Sequence, residues 1–478
     1  MIIRLLTFDF VHIKKYRINK YSIFMTKKLI NLIILLTISI GAFSQQFNIL
    51  DYGAKAQTGK INTTSIQKAI DACSLNGGGT VVVPTGTFVT GMIQLKSHVN
   101  LNLSNGAILQ ALANAEYESL VLLDGVEDAS VTGCGTLFGN GEEFVIEESA
   151  PGRPYIIWAR NSKNVRIHDV NLYNSACWAL KLTANDGVVV HGVKIYSHAN
   201  FNNDGIDIDS KNVVVSDCII DTGDDALCLK SETPNTICEN VVVTNCILRS
   251  NCNFIKMGTG SIGGFKNIAI SNCSLHKASE SKLHQWNVAS KQSIPDSITG
   301  ISGIALEIVD GGIMDQVTIS NITMTGVQTP IFIRLGTRKN PTGVLKNVLI
   351  SNVVASSHSK IASSITGVPG FYVENVVLRD ILINNQLGAS APVTRLIPES
   401  EKSYPENRMF GWDLPAFGFY IRHAKNIILD NVRINPVKDE VRPAFWLEDA
   451  HDVQIRNAQI EKGQVVEKAC TKVEIGLN

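Results

Sequence analysis

The run Asn212-Val213-Val214-Val215-Ser216-Asp217-Cys218-Ile219-Ile220 returns as Asn240-Val241-Val242-Val243-Thr244-Asn245-Cys246-Ile247-Leu248, and again as Asn267-Ile268-Ala269-Ile270-Ser271-Asn272-Cys273-Ser274-Leu275. Each copy opens on Asn, passes through three strand-forming residues, turns on a polar pair and closes on a short apolar run. The same phrase stands upstream at Asn164-Val165-Arg166-Ile167 and Gly187-Val188-Val189-Val190, and resumes at Gln316, Asn347, Asn375, Asn426 and Asp452. Starts lie 23 to 31 residues apart, except for two gaps of 49 and 51, which read as doubled periods or as coils with large loops. A fixed period of this length marks a repeat architecture.

Each unit is too short for a pair of helices, and β-branched residues dominate its alternating positions, as in Val317, Ile319 and Ile322 around Thr318 and Ser320. Regular leucine positions of a leucine-rich repeat are not seen. The pattern predicts an all-β chain folded as a single-stranded parallel β-helix, in which strands of successive coils pair about 4.8 Å apart and like residues stack inward. Asn at the same turn of successive coils is expected to form an amide ladder. An antiparallel sandwich is the competing arrangement of short, evenly spaced strands. A solenoid needs its end covered, and Thr63 to Cys73 has helical spacing at Ile66, Ala69, Ile70 and Cys73 before the stop at Gly77-Gly78-Gly79. This segment is the expected N-terminal capping helix.

Residues 1–44 are set apart as an upstream extension and signal peptide. From Met25 the order is Lys27-Lys28, an apolar run from Leu29 to Ile40, then Ala42-Phe43-Ser44, so cleavage near Ser44 and a secreted or periplasmic mature chain are expected. Residues 45–478 then form the β-helix domain, without a membrane span. Removal of residues 1–44 lowers the basic count from 43 to 36 and the acidic count from 43 to 42, a net charge of −6, which gives nucleic-acid binding no electrostatic support. Ten cysteines are present, but Cys218, Cys246 and Cys273 share one slot of successive repeats, which predicts a buried ladder of small side chains rather than disulfides or a zinc site.

Two acidic clusters lie within the array, Asn202-Asn203-Asp204-Gly205 and Gly223-Asp224-Asp225-Ala226. Their separation of 20 residues stacks Asp204 beside Asp224 and Asp225 on neighbouring coils. A lone Asp-Gly is an ordinary turn. Three carboxylates in one place are costly unless their proton affinities are used. Alternation cannot aim both Asp224 and Asp225 to one face, so a kink is expected at Gly223. Such a cluster suits either metal binding or acid/base cleavage of a glycosidic bond.

The chain resembles glycoside hydrolase family 28, the polygalacturonase and rhamnogalacturonan hydrolase family, through Asp51-Tyr52-Gly53-Ala54, Ile66-Gln67-Lys68-Ala69-Ile70-Asp71, Gly77-Gly78-Gly79-Thr80-Val81-Val82-Val83-Pro84, Asn203-Asp204-Gly205-Ile206-Asp207 and Gly223-Asp224-Asp225. The resemblance implies a right-handed parallel β-helix and hydrolysis with inversion, with Asp224 as general acid and Asp204 and Asp225 activating water. It implies no cofactor and no metal. Inverting enzymes hold acid and base about 6.5 to 9.5 Å apart, so lateral offset must add to the rise between coils.

Two motifs of polygalacturonases are missing. Their Gly-His-Gly aligns with Cys252-Asn253-Phe254, and their Arg-Ile-Lys with Ala305-Leu306-Glu307. Glu307, aimed outward at the groove, is expected to repel a uronate, which favours a rhamnogalacturonan-type or exo-acting substrate over plain polygalacturonan. The expected sugar-binding set is Asn202, Lys230, Asn253, Lys256, Glu307, Arg334, Tyr420 and His423, with Lys230, Lys256 and Arg334 as candidate uronate partners. Trp178 and Tyr404 are candidate stacking surfaces, and the stretch from Leu275 to Gly303 is a candidate block at one end of the groove. Gly258-Thr259-Gly260-Ser261-Ile262-Gly263 matches the dinucleotide fingerprint but precedes a strand, so it is read as a loop between coils. The competing functions are a calcium-dependent lyase of the pectate-lyase kind and a non-catalytic β-helical adhesin or carbohydrate-binding protein.

Overall fold

Successive copies of the repeated phrase pair in parallel and in register. Val165, Val188, Val213, Val241, Ile268, Val317, Val348, Val376, Ile427 and Val453 form one inward row, each the strand partner of the next. Every one of them is buried in a single continuous apolar core. The chain is therefore a right-handed parallel β-helix, the hand that connections between parallel strands take. A computed structural model describes Met25 and residues 45–56, 59–113, 115–281, 300–339, 342–458 and 464–477. The expected leader, residues 1–44, lies outside the described residues except for Met25. Among the described residues no helix is long and apolar enough to cross a membrane.

The opening residue of each phrase has a left-handed backbone: φ is 57° at Asn212, 56° at Asn240, 55° at Asn267, 60° at Gln316 and 57° at Asn347. Asn tolerates this region at the lowest cost of the non-glycine residues, which accounts for its recurrence and for Gly187 in the same slot. The amide ladder is present, with Asn240 Nδ2 donating to Asn212 Oδ1 at 2.9 Å, Asn267 to Asn240 at 3.1 Å and Asn375 to Asn347 at 2.9 Å.

The two long intervals are single coils carrying insertions, because Ile268 pairs directly with Val317 and Val376 with Ile427. The capping helix spans Thr63–Leu75 and buries Ile66, Ala69, Ile70 and Cys73 in the common core. All ten cysteines are free, and Cys218, Cys246 and Cys273 are buried one coil apart with each thiol near the carbonyl two residues back. The glycine fingerprint lies at the end of the strand Asn253–Ser261 and leads to the strand Phe265–Lys277, with no helix to hold a phosphate. Its Gly258 is needed for close approach: a Cβ there would lie 2.7 Å from the Glu307 carbonyl oxygen.

Candidate active site

One outer face of the solenoid is built by the strands Tyr155–Arg160, Leu180–His191, Ile206–Ser216, Leu227–Ser231, Asn253–Ser261 and Gly300–Ile308. Ile206 and Ile208 point into the core, so Asp207 faces outward. Ile206 is the register partner of Leu227, and Gly205 N donates to the Asp225 carbonyl at 2.9 Å, which sets Asp204 beside Asp225 on the next coil. Gly205 is fixed by packing, since a Cβ there would lie 2.4 Å from the Ala226 carbonyl oxygen. Asp224 and Asp225 sit at the bend between the strands Ile219–Thr222 and Leu227–Ser231, where strand alternation does not apply. Carboxylate oxygens of the two lie within 4.8 Å of each other and of the Cys252 sulfur, and those of Asp204 and Asp207 within the same reach of each other and of Cys228.

Fixed partners hold this cluster. Asn203 Oδ1 accepts from Asp224 N at 2.8 Å, and Asp224 Oδ1 accepts from Asp225 N at 2.9 Å. Asn253 Nδ2 donates to Asp225 Oδ1 at 2.7 Å, and the Lys256 ammonium lies 2.9 Å from Asp225 Oδ2 and 3.2 Å from the Tyr404 hydroxyl. The Lys230 ammonium bridges Asp207 at 3.1 Å and Asp204 at 3.7 Å. Asp204 is 4% exposed and Asp225 2%, whereas Asp224 is only partly buried.

Burial, then the charges of Asp207 and Asp224, lifts the Asp204 carboxyl well above the usual range against the pull of Lys230. Burial raises Asp207 to about 7 even with Lys230 beside it. Burial opposes the charge of both lysines, but their carboxylate neighbours outweigh it and raise both ammonium groups well above their ordinary value. Among the buried polar atoms around the cluster, Asn203 Nδ2, Ser302 Oγ and Glu307 Oε2 have no hydrogen-bond partner among the described residues.

A sequence model of the glycosyl hydrolases family 28 matches residues 73–395. The chain belongs to glycosyl hydrolase family 28. It is 28% identical over 224 residues to a probable polygalacturonase of Vitis vinifera, covering 40% of this chain and 46% of that one. It is 29% identical over 260 residues to an exo-poly-alpha-D-galacturonosidase of Dickeya chrysanthemi, covering 40% and 43%. The matches therefore span somewhat less than half of these curated relatives. In fold it is similar to a hyperthermoactive exopolygalacturonase of Thermotoga maritima, with a TM-score of 0.61 at 19% identity over 81% of this chain and 92% of the other.

Within this family 28 frame, several residues stand elsewhere than the sequence reading expected. Asn202 serves as a loop anchor: its Oδ1 accepts from Arg153 Nη2 at 2.8 Å and Ser149 N at 2.9 Å. Lys230 and Lys256 are at the site, but each ammonium is already paired with aspartate. Asn253 holds Asp225 through its backbone N and Nδ2. Glu307 is 1% exposed, and burial, offset in part by Lys256, raises its carboxyl to about 8. This shift favours its neutral form, which would weaken the repulsion of a uronate expected from its charge.

Arg334 is sealed off from sugar, donating to the carbonyls of Gly367 at 2.8 Å and Glu399 at 2.9 Å. Tyr420 is fully buried in a second apolar cluster with Ala305, Phe332, Phe410 and Leu414. His423 is enclosed between Asp449 and Glu399, at 2.7 and 3.0 Å. All three fasten the 386–418 segment to the solenoid, because apolar and charged side chains of that segment cover this stretch of the face. Of the proposed block from Leu275 to Gly303, residues 282–299 lie outside the described residues. Sequence reasoning missed Asn203 and Asp207, although both lie within the quoted motif, and Arg153, for which no local signal exists.

Proposed function

We propose that the chain hydrolyses glycosidic bonds, with inversion, in a pectic polysaccharide or its oligosaccharides, working outside the cytoplasm and from a chain end. The observation that carries this reading is the convergence of Asp204, Asp224 and Asp225 from two neighbouring coils on one outer face. Asp224 is the general acid: it is the one of the three with appreciable exposure, as a group must be to reach a leaving oxygen. Its proton passes to the glycosidic oxygen as the bond to the anomeric carbon breaks. Water attacks that carbon from the opposite face and gives its proton to Asp204 or Asp225, although Asp224 and Asp225 oxygens within 4.8 Å of each other are closer than the roughly 6.5 to 9.5 Å usual for an inverting pair. Asn253 and Lys256 hold Asp225 at both oxygens and so fix where that water stands.

Exo action is supported by the shape of the face. Downstream of the acids, Ile397, Phe410, Leu414 and Ala416 of the 386–418 segment pack on Ala305 and Phe332, and Tyr404 reaches back to Lys256. The groove is thus walled about one coil step, roughly 5 Å, beyond Asp225, while an open cavity lies upstream at Tyr155 and Trp158. A calcium-dependent lyase is disfavoured, because the Lys230 ammonium lies between Asp204 and Asp207 and the Lys256 ammonium is paired with Asp225, so both compete with a divalent ion for those carboxylates. The test is incubation of the mature protein with pectic polymers, including polygalacturonan and rhamnogalacturonan, followed by product sizing. Asp224→Asn should lower reducing-end release by about a hundredfold to ten-thousandfold and leave sugar binding nearly intact. Undiminished release by this variant would overturn the assignment.

A further inference from the structure

We propose that Lys181, set among Tyr155, Trp158 and Trp178, forms an upstream subsite that binds the carboxylate of a uronic acid residue; this rests on the hydrolase reading above. Trp158, Lys181, Asp207, Cys228 and Lys256 are successive register partners along the outer face. Lys181 is therefore one coil from Asp207 and Asp204 and two from Asp225, about 10 Å at the usual strand spacing.

The Lys181 ammonium lies 4.6 Å from the ring centre of Trp178, 4.8 Å from Tyr155 and 4.9 Å from Trp158. Its one recorded hydrogen bond is to the Tyr155 hydroxyl at 3.3 Å. Among the described residues no carboxylate comes within ion-pair distance of it, in contrast to Lys230 and Lys256. Its register neighbour Asp207 is already held by Lys230. Ring faces attract a cation but do not neutralise it, so a half-buried ammonium here is left able to take an anion.

The adjoining cavity measures about 620 Å³ and is lined by Tyr117, Pro151, Gly152, Tyr155 and Trp158, a size and apolar character suited to sugar rings. Its lining also carries Glu116 and Glu118, and Glu118 is paired with Arg160 at 3.2 Å. Arg153 also lines the cavity, but its guanidinium is held by the carbonyls of Ala150, Ala176 and Phe201 and by Asn202, whereas the Lys181 ammonium has only the Tyr155 hydroxyl. A uronate fits at Lys181.

The test uses the full chain carrying Asp224→Asn, titrated calorimetrically with an oligogalacturonate and with the same oligosaccharide after reduction of its carboxyl groups. Lys181→Met should weaken the charged ligand by about tenfold, the worth of one ion pair of about 1.4 kcal/mol, and leave the reduced ligand within about twofold. Lys181→Arg should restore most of the loss, and Trp158→Ala should weaken both ligands alike, since stacking does not read charge. Thermal melts of each variant check that the fold is kept. Equal losses on both ligands, no loss with Lys181→Met, or failure of either ligand to bind would overturn the subsite. The hydrolase reading fails separately, by absence of reducing-end release from every pectic polymer when Asp224 is intact.

Discussion

At the residue scale the site is a set of charges whose partners decide what each can do. Glu307 shows this most clearly, because a carboxylate at that position reads as repulsive in the sequence, while its burial in the fold favours the neutral form. Burial raises its proton affinity from the ordinary 4.5 to about 8, so the folded state binds its proton more tightly than the unfolded chain. Its contribution to stability is full below the unfolded value and is lost as pH rises through the folded one. Glu307→Gln should therefore melt increasingly above the parent as pH rises from about 4.5 to 8, with a constant difference at higher pH; a melting-temperature series over pH checks it. The three aspartates proposed to be catalytic were legible as a cluster because they fall in compact motifs. Arg334 and Tyr420 were misplaced because a side chain aimed out of a coil reads the same whether it meets solvent or the 386–418 segment.

At the scale of the element, period-two alternation gave the strands and their inward rows, and the Asn slot gave the turns. The slot asks for two separable things, a left-handed backbone and an amide that links coils. Asn240→Gly keeps the first and loses the second, while Asn240→Ala loses both. We expect Asn240→Ala to cost about 1–2 kcal/mol from the backbone alone plus about 1 kcal/mol for the ladder, with Asn240→Gly less destabilising; urea unfolding of both variants measures the order. The corners were less legible. Asp224 and Asp225 reach the same side because the bend after Thr222 suspends alternation, and the sequence marked that bend only through Gly223.

At the scale of the whole molecule, stacking of coils turns residues 20 or more positions apart into neighbours and lets lysines of one coil neutralise aspartates of another. That neutralisation predicts metal-independent chemistry: millimolar chelator should leave the rate unchanged, and products should show a new reducing end without the ultraviolet absorbance of an unsaturated uronate. Loss of activity to chelator, restored by calcium, would count against the hydrolase. The sequence by itself determined the coil period, the inward apolar rows, the Asn turns, the capping helix and the acidic motifs, because each is a local pattern repeated in register. Only the tertiary structure decided which outward face is open, which lysines and carboxyls remain charged, and where the groove is walled. Those properties depend on what lies across the face from a side chain, and the segment lying across this one is separated from it in the chain by about a hundred residues, as Asn407 Nδ2 on the Ile301 carbonyl shows.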